Sequence, residues 1–368
     1  MPEHSTITAV RARAFTVPTD AVEADGTAAW DKTTLVVVKV EGGGSQGIGY
    51  TYADPAAATL VTTKLTGIVT GRDAMDPPGA WRAMVHGVRN LGRAGLCAMA
   101  VSAVDTALWD LKARLLGVPL ALLLGRYRDS VSIYGSGGFT SYDDATLARQ
   151  LSGWVERDGC RWVKMKIGTD PDGDPARVRA AKAAVGNATL FVDANGALSV
   201  KQAQHLATVF AAEADVRWFE EPVSSDDLDG LRRVRERVPA PMEVAAGEYG
   251  YEPDYFCRML AAGAVDVQQA DATRCGGVTG FLHAASLCEG FHTDLSAHCA
   301  PSLHRHLGCA ASRFRHLEWF HDHVRIEHML FDGAPVPAAG QIAPDWQRPG
   351  LGLELKEPDA ARFEVRVA

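Results

Sequence analysis

The sequence predicts an α/β fold: a closed parallel barrel of eight strand–helix units beside a smaller α+β domain. Three observations lead there. Short apolar runs ending in a charged residue recur at a near-constant pitch, with 27 residues from Lys166 to Asp193, 27 from Asp193 to Glu220 and 28 from Glu220 to Glu248. Between the runs lie segments each long enough for one helix, which is the βαβ repeat of a parallel sheet. Ahead of the repeat come β-branched stretches and helical stretches without that pitch, and 368 residues suffice for both units.

Composition narrows the function classes. The chain is 47% apolar and 22% charged, with a net charge of −8, an ordinary globular mixture. No basic run or stripe is present, which argues against a nucleic-acid surface. Seven cysteines are scattered without CxxC spacing, so neither a disulfide framework nor a zinc site is expected and a reducing cytoplasm is the default. The N-terminal stretch 1–15 has no apolar signal core. The longest uncharged apolar stretch, 94–104, is too short to span a bilayer.

In chain order, alternation predicts a strand at 7–17, and β-branched residues predict a second at 33–40. Gly42-Gly43-Gly44-Ser45 then turns the chain into a third strand at 47–52. Residues 18–32, small and polar apart from Trp30, read as a long loop of the kind that forms lids or simple surface excursions. Helical patterns follow at 55–68, 78–91 and 94–116, the last closed by Gly117 with Pro119 beyond. Asp105 and Asp110 in that helix have no second acid at a ligating spacing and read as internal structural carboxylates. Barrel strands are expected at 131–134, at 162–166, ahead of Asp193, Glu220 and Glu248, at 265–269, at 293–297 and at 316–319. A final strand at 363–367 is expected to return to the N-terminal domain.

The chemistry lies at the strand ends, where barrels of this kind assemble their active sites. Lys164 and Lys166 are two apart on one strand and project together. Such a pair is often only a solvated edge, but mutual repulsion also lowers the pKa of at least one ammonium and makes it a candidate base. Asp193, Glu220 and Glu248 end three neighbouring strands. Three carboxylates converging on one point call for a cation, and all-oxygen ligation suits Mg²⁺. Asp271 and His298 are 27 residues apart, so they end adjacent strands. A carboxylate on one imidazole nitrogen fixes the tautomer and raises the basicity of the other. His304 and His306, beside Pro301, read as pocket rim or subunit contact.

With these residues in hand, the chain resembles the mandelate racemase subgroup of the enolase superfamily over its whole length. The matching motifs are Lys164-Met165-Lys166, Val192-Asp193-Ala194-Asn195, Trp218-Phe219-Glu220-Glu221-Pro222, Ala246-Gly247-Glu248, Asp271 followed by Arg274-Cys275-Gly276-Gly277-Val278-Thr279-Gly280, Ser296-Ala297-His298, and Leu317-Glu318. Each is short, but their order at barrel spacing is specific. The resemblance implies a (β/α)7β barrel, a modified TIM barrel, at 131–325, and an α+β capping domain built from 1–130 and a returning tail at 326–368. It implies Mg²⁺ on Asp193, Glu220 and Glu248, with Glu221 outside the ligand set. It places Lys166 on one face of the substrate and His298, oriented by Asp271, on the other. Lys164 and a protonated Glu318 would contact the substrate carboxylate. Asn195, two residues beyond Asp193, would share its face on an extended stretch and bind a substrate hydroxyl or metal-bound water, or would simply form a turn before Gly196.

The expected reaction is removal of the proton α to a carboxylate, giving an enediolate, followed by loss of a β-hydroxyl as water from an acid sugar. Racemisation or epimerisation of a 2-hydroxy acid by the same Lys/His pair is the alternative. A metal-binding scaffold without catalysis is the reading from another class. A small-molecule carboxylate substrate and a cytoplasmic homo-oligomer are expected, with neither nucleic acid nor membrane as partner.

Overall fold

The computed structural model describes residues 5–367. Three antiparallel strands form the meander of the cap: β1 (Ile7–Ala24), β2 (Ala29–Gly42) and β3 (Ser45–Tyr52). Side chains alternate across this sheet, and both faces are buried. Val36, Val38 and Val40 pack with the cap's helices, while Leu35, Val37 and Tyr50 join the core that runs into the barrel. The helix Leu96–Leu116 lies directly on β3. At Gly47 and Gly49 an added Cβ would come within 2.2 Å of the carbonyl oxygens of Ala107 and Ala103, so glycine is what lets helix and strand touch. Gly117, at φ 68°, ends that helix as a left-handed cap. Asp105 accepts hydrogen bonds from the Thr279 N–H and Oγ1, and Asp110 from the N–H groups of Ile48 and Leu351.

The segment expected to be a loop at 18–32 is instead a hairpin. β1 and β2 continue their pairing past Pro18↔Lys32 to Glu23↔Trp30 and Ala24↔Ala29, with an irregularity between Pro18 and Glu23. The polar composition hid strands that stand clear of the sheet's core and need few apolar side chains. The turn is an Asp25 motif: its Oδ1 accepts from the N–H groups of Thr27 and Ala28.

The barrel comprises β4 (Val131–Gly137), β5 (Trp162–Lys166), β6 (Thr189–Asp193), β7 (Trp218–Glu220), β8 (Glu243–Ala246), β9 (Val267–Ala270), β10 (Asp294–Ala297) and β11 (Phe314–Phe320). All eight neighbours pair in parallel, and β11 returns to β4 through Leu317↔Ile133 and Glu318↔Tyr134, which closes the ring. The interior is filled by Tyr134, Phe191, Trp218, Ala245 and Val267, a packed core rather than a pore. The tail adds the two-residue strand Glu364–Val365 to β1, in the register Ala14↔Val365. Arg13 fixes it with bonds to Glu364 at 2.7 and 2.8 Å and to Glu357 at 2.6 Å. Among the described residues no helix is long and apolar enough to cross a membrane.

The expectation for His304 and His306 is corrected. Both are fully buried in the helix Pro301–Ala310. His304 accepts from the Ala272 N–H at 2.9 Å and bonds the Cys299 carbonyl at 2.7 Å, while His306 bonds the Leu351 carbonyl at 3.1 Å. Burial pushes both below the ordinary histidine range, so they are neutral packing residues.

Candidate active site

Strand register brings the predicted residues together. Lys166 is the Cα partner of Asp193, and Asp193 of Glu220, so three strand ends stand level. Glu248 follows β8 after Gly247. There an added Cβ would strike the Gln269 carbonyl at 2.1 Å, and φ is 135°. Asp193, Glu220 and Glu248 each offer an oxygen within 4.8 Å of the others, and all three side chains are buried. Trp218 Nε1 donates to Glu220 Oε2 at 2.9 Å, which aims that carboxylate. Asp271 and His298 follow β9 and β10, and His298 Nδ1 donates to Asp271 Oδ2 at 2.9 Å. The second Asp271 oxygen accepts from the Thr273 N–H and Oγ1 at 2.7 and 2.8 Å. Those bonds lock the carboxylate and turn the buried Nε2 toward Cys299 Sγ at 3.2 Å and the carboxylates of Glu248 and Glu318 at 3.5 and 3.7 Å.

A cavity of about 450 Å³ holds the opposed groups: Lys166, Asn195, Glu248, Arg274 and His298 all line it, with Trp30 and Lys32 of the hairpin above. A larger adjoining cavity, about 680 Å³, shares Asn195 but lacks the lysines and His298. The first is the site where the chemistry converges.

Electrostatics correct two expectations. Burial disfavours charge on both lysines. The carboxylates outweigh it, Asp193 for Lys166 and Glu220 for Lys164, and both pKa values are raised rather than lowered. Lys166 Nζ is 2.6 Å from Asp193, and Lys164 Nζ is 2.8 Å from Glu318 and in close contact with Glu220. Repulsion between the lysines is present but smaller. Glu318 is the second correction. Burial opposes its charge, yet Lys164 and His298 hold it well below the usual carboxylate range, so it is an ionised acceptor and not a protonated donor. Burial likewise disfavours charge on His298, but Glu248 and Glu318 raise its pKa. Burial lifts Glu220 to about 8, whereas the two lysines overcome burial at Asp193 and bring it to about 2.

Of the two readings of Asn195, the turn before Gly196 is the one the structure shows, and the residue lines the cavity all the same. Its φ is 46°, so a left-handed turn rather than strand alternation directs it. Its N–H donates to Asp193 Oδ1 at 2.9 Å, and its own Oδ1 is buried without a hydrogen-bond partner among the described residues. Glu221 is also buried, and burial with Glu248 nearby raises its pKa strongly. Sequence reasoning missed Ser136, whose hydroxyl donates to Glu318 Oε1 at 2.5 Å, and Cys299, whose N–H donates to Glu318 Oε2 at 3.2 Å. Ser136 enters only because β11 closes on β4, a pairing that nothing local in the sequence announces.

The hairpin meets the barrel mouth mostly through main chain. The carbonyls of Ala24, Asp25 and Val22 accept from the Thr140 N–H, the Thr140 and Thr169 hydroxyls, and the Ser141 hydroxyl. Trp30 packs edge-on against Phe139 at 5.7 Å and donates from Nε1 to the buried Glu23 at 2.8 Å. Burial, then the charge of Asp322, pushes Glu23 up to about 8, with Asp20 adding and Arg325 opposing. An acid whose pKa is raised on folding costs stability once pH exceeds its unfolded value, and the cost grows until the folded pKa is reached. Glu23→Gln is therefore expected to raise the melting temperature relative to wild type by an amount that grows between pH 5 and 8. Paired thermal melts across that range check it, and a constant difference would remove the assignment.

Comparison with known proteins agrees with this geometry. Residues 8–125 match the mandelate racemase / muconate lactonizing enzyme N-terminal domain, and residues 146–360 match the enolase C-terminal domain-like family. The 3,6-anhydro-alpha-L-galactonate cycloisomerase of Streptomyces coelicolor is 33% identical over 340 residues, covering 90% of this chain and 91% of that one. The L-talarate/galactarate dehydratase of Salmonella typhimurium is 29% identical over 85% of this chain and 78% of its own. Its crystal structure, liganded with Mg and L-lyxarohydroxamate, gives a TM-score of 0.88 at 26% identity, covering 98% of this chain and 93% of that one. A mandelate racemase/muconate lactonizing enzyme-like protein from Rubrobacter xylanophilus is 50% identical with a TM-score of 0.96, covering 98% of this chain and all of that one. With a capped, closed barrel and both family domains matched in order, the chain belongs to the mandelate racemase/muconate lactonizing enzyme family of the enolase superfamily.

Proposed function

We propose that the protein is a Mg²⁺-dependent lyase that removes the proton α to the carboxylate of an acid sugar and expels a β-hydroxyl as water, leaving a 2-keto-3-deoxy acid. The observation that carries this reading is a cavity lined by Lys166, His298 and Glu248, the last a member of the buried carboxylate triad. Dehydratases of acid sugars among the relatives support it.

The triad fits the metal on its own chemistry. Its donors are oxygen only, all three side chains are buried, and Glu248 Oε2 has no hydrogen-bond partner among the described residues, a donor set suited to a hard dication. Bound there, Mg²⁺ supplies Lewis acidity to the substrate carboxylate and the positive charge that the triad otherwise draws from the lysines. The chain's residues do the rest. Lys164, between Glu220 and Glu318, stabilises negative charge developing on the substrate carboxylate. Lys166 and His298 approach Cα and Cβ from opposite sides, one taking the α-proton and the other protonating the departing hydroxyl. Asp271 holds His298 in the tautomer that leaves Nε2 to face the substrate. Asn195, with its free Oδ1, receives a substrate hydroxyl. Trp30 and the hairpin exclude water.

The same pair also suits return of a proton to Cα from the opposite face, which gives the epimer. The full set of acids and bases argues against a non-catalytic scaffold. Screening mono- and diacid sugars in D₂O by NMR separates these outcomes: a 2-keto-3-deoxy product supports the lyase, and a deuterated epimer of unchanged hydroxyl count replaces it. EDTA is expected to abolish turnover and Mg²⁺ to restore it. Turnover indifferent to chelation would exclude the mechanism.

A further inference from the structure

Beside the oxygen triad stands a second cluster with different donors: His298 Nε2, Cys299 Sγ and Glu318 Oε2. The sulfur lies 3.2 Å from Nε2 and 3.3 Å from Oε2, and Nε2 lies 3.7 Å from Oε2. A tetrahedral ion with bonds of ~2.0–2.3 Å has edges of roughly 3.3 Å between nitrogen and oxygen and roughly 3.6 Å from either to sulfur, each within about 0.4 Å of these distances. The three atoms thus outline one face of such a tetrahedron with only small adjustment. Their surroundings are also those of a ligand set. His298 Nδ1 is already bonded to Asp271, which turns Nε2 toward the Cys299 sulfur at 3.2 Å and Glu248 Oε2 at 3.5 Å, the arrangement found behind metal-bound histidines. Glu318 is anchored through its other oxygen by Ser136 and Lys164. Cys299 is set by a left-handed backbone at φ 53°, and the cavity it lines with His298 leaves room for a fourth ligand.

We infer that His298, Cys299 and Glu318 form a second metal site, selective for a thiophilic divalent cation such as Zn²⁺, distinct from the oxygen triad and inhibitory when filled. The thiol proton leaves to solvent as the thiolate binds the ion. Occupancy ties up Nε2, the atom that transfers the proton, so turnover stops while Mg²⁺ stays in place. Softness of the donor sets the selectivity: thiolate favours Zn²⁺ over Mg²⁺, and three carboxylates favour the reverse. The inference does not depend on which acid sugar is the substrate or on whether water is lost.

Co²⁺ is the probe, added to the full-length protein in saturating Mg²⁺. One equivalent is expected to give a near-ultraviolet thiolate-to-cobalt charge-transfer band that Zn²⁺ bleaches. Cys299→Ser and Cys299→Ala should lose the band, and a Cys257→Ser control, which removes the exposed thiol, should keep it. On wild-type protein alone, zinc X-ray absorption should show one sulfur scatterer at about 2.3 Å. Zn²⁺ should inhibit wild type at a concentration at least tenfold lower than it inhibits Cys299→Ala. No band, a band that survives both Cys299 variants, or inhibition that excess Mg²⁺ reverses would each overturn the site.

Discussion

Lys166→Ala is expected to lower turnover of the true substrate by two to four orders of magnitude, the range that a positioned acid or base contributes. The side chain is nearly fully buried and held at 2.6 Å from Asp193, so no solvent group replaces it at the same place. His298→Asn is expected to cost as much, because the amide keeps much of the volume but cannot carry the proton. The two variants should differ in what survives. In D₂O, exchange of the α-hydrogen by His298→Asn without product assigns abstraction to Lys166. Exchange by Lys166→Ala instead assigns it to His298 and implies the opposite configuration at C2. Full activity in either variant would dismiss the pair.

Glu220→Gln is expected to weaken Mg²⁺ binding by more than about 100-fold, beyond the usual cost of losing a group that only supports a ligand. Turnover should fall with it. Glutamine preserves the shape and still accepts from Trp218, but lacks the charge. The fold should hold, since Lys164 keeps Glu318 at 2.8 Å as its counter-ion. Calorimetric titration with Mg²⁺ and a thermal melt decide the matter together. Unaltered Mg²⁺ affinity in a folded Glu220→Gln protein would remove Glu220 from the ligand set.

The barrel was legible because its repeat is written in the chain at 27 or 28 residues, and the strand ends carry their charges at that interval. What lay across strands was less visible. Lys164 and Lys166 are neighbours in sequence and suggested repulsion, but register places Asp193 and Glu220 closer, and opposite charge prevails. The state of Glu318 escaped for the same reason, as its partners come from β4, β5 and the residues just after β10. The hairpin was misread because Pro18 and a polar stretch resemble a loop, although strands lifted off a core need no apolar alternation.

How that hairpin is fastened bears on how the protein could change over generations. Its anchors to the barrel are chiefly its own carbonyls, from Val22, Ala24 and Asp25. Main-chain atoms are common to every amino acid. Side chains at many hairpin positions can therefore drift while the attachment persists. On the function proposed above, Asp25, Trp30 and Lys32 over the cavity are then the positions where point mutation is expected to change the substrate while the strand ends stay fixed.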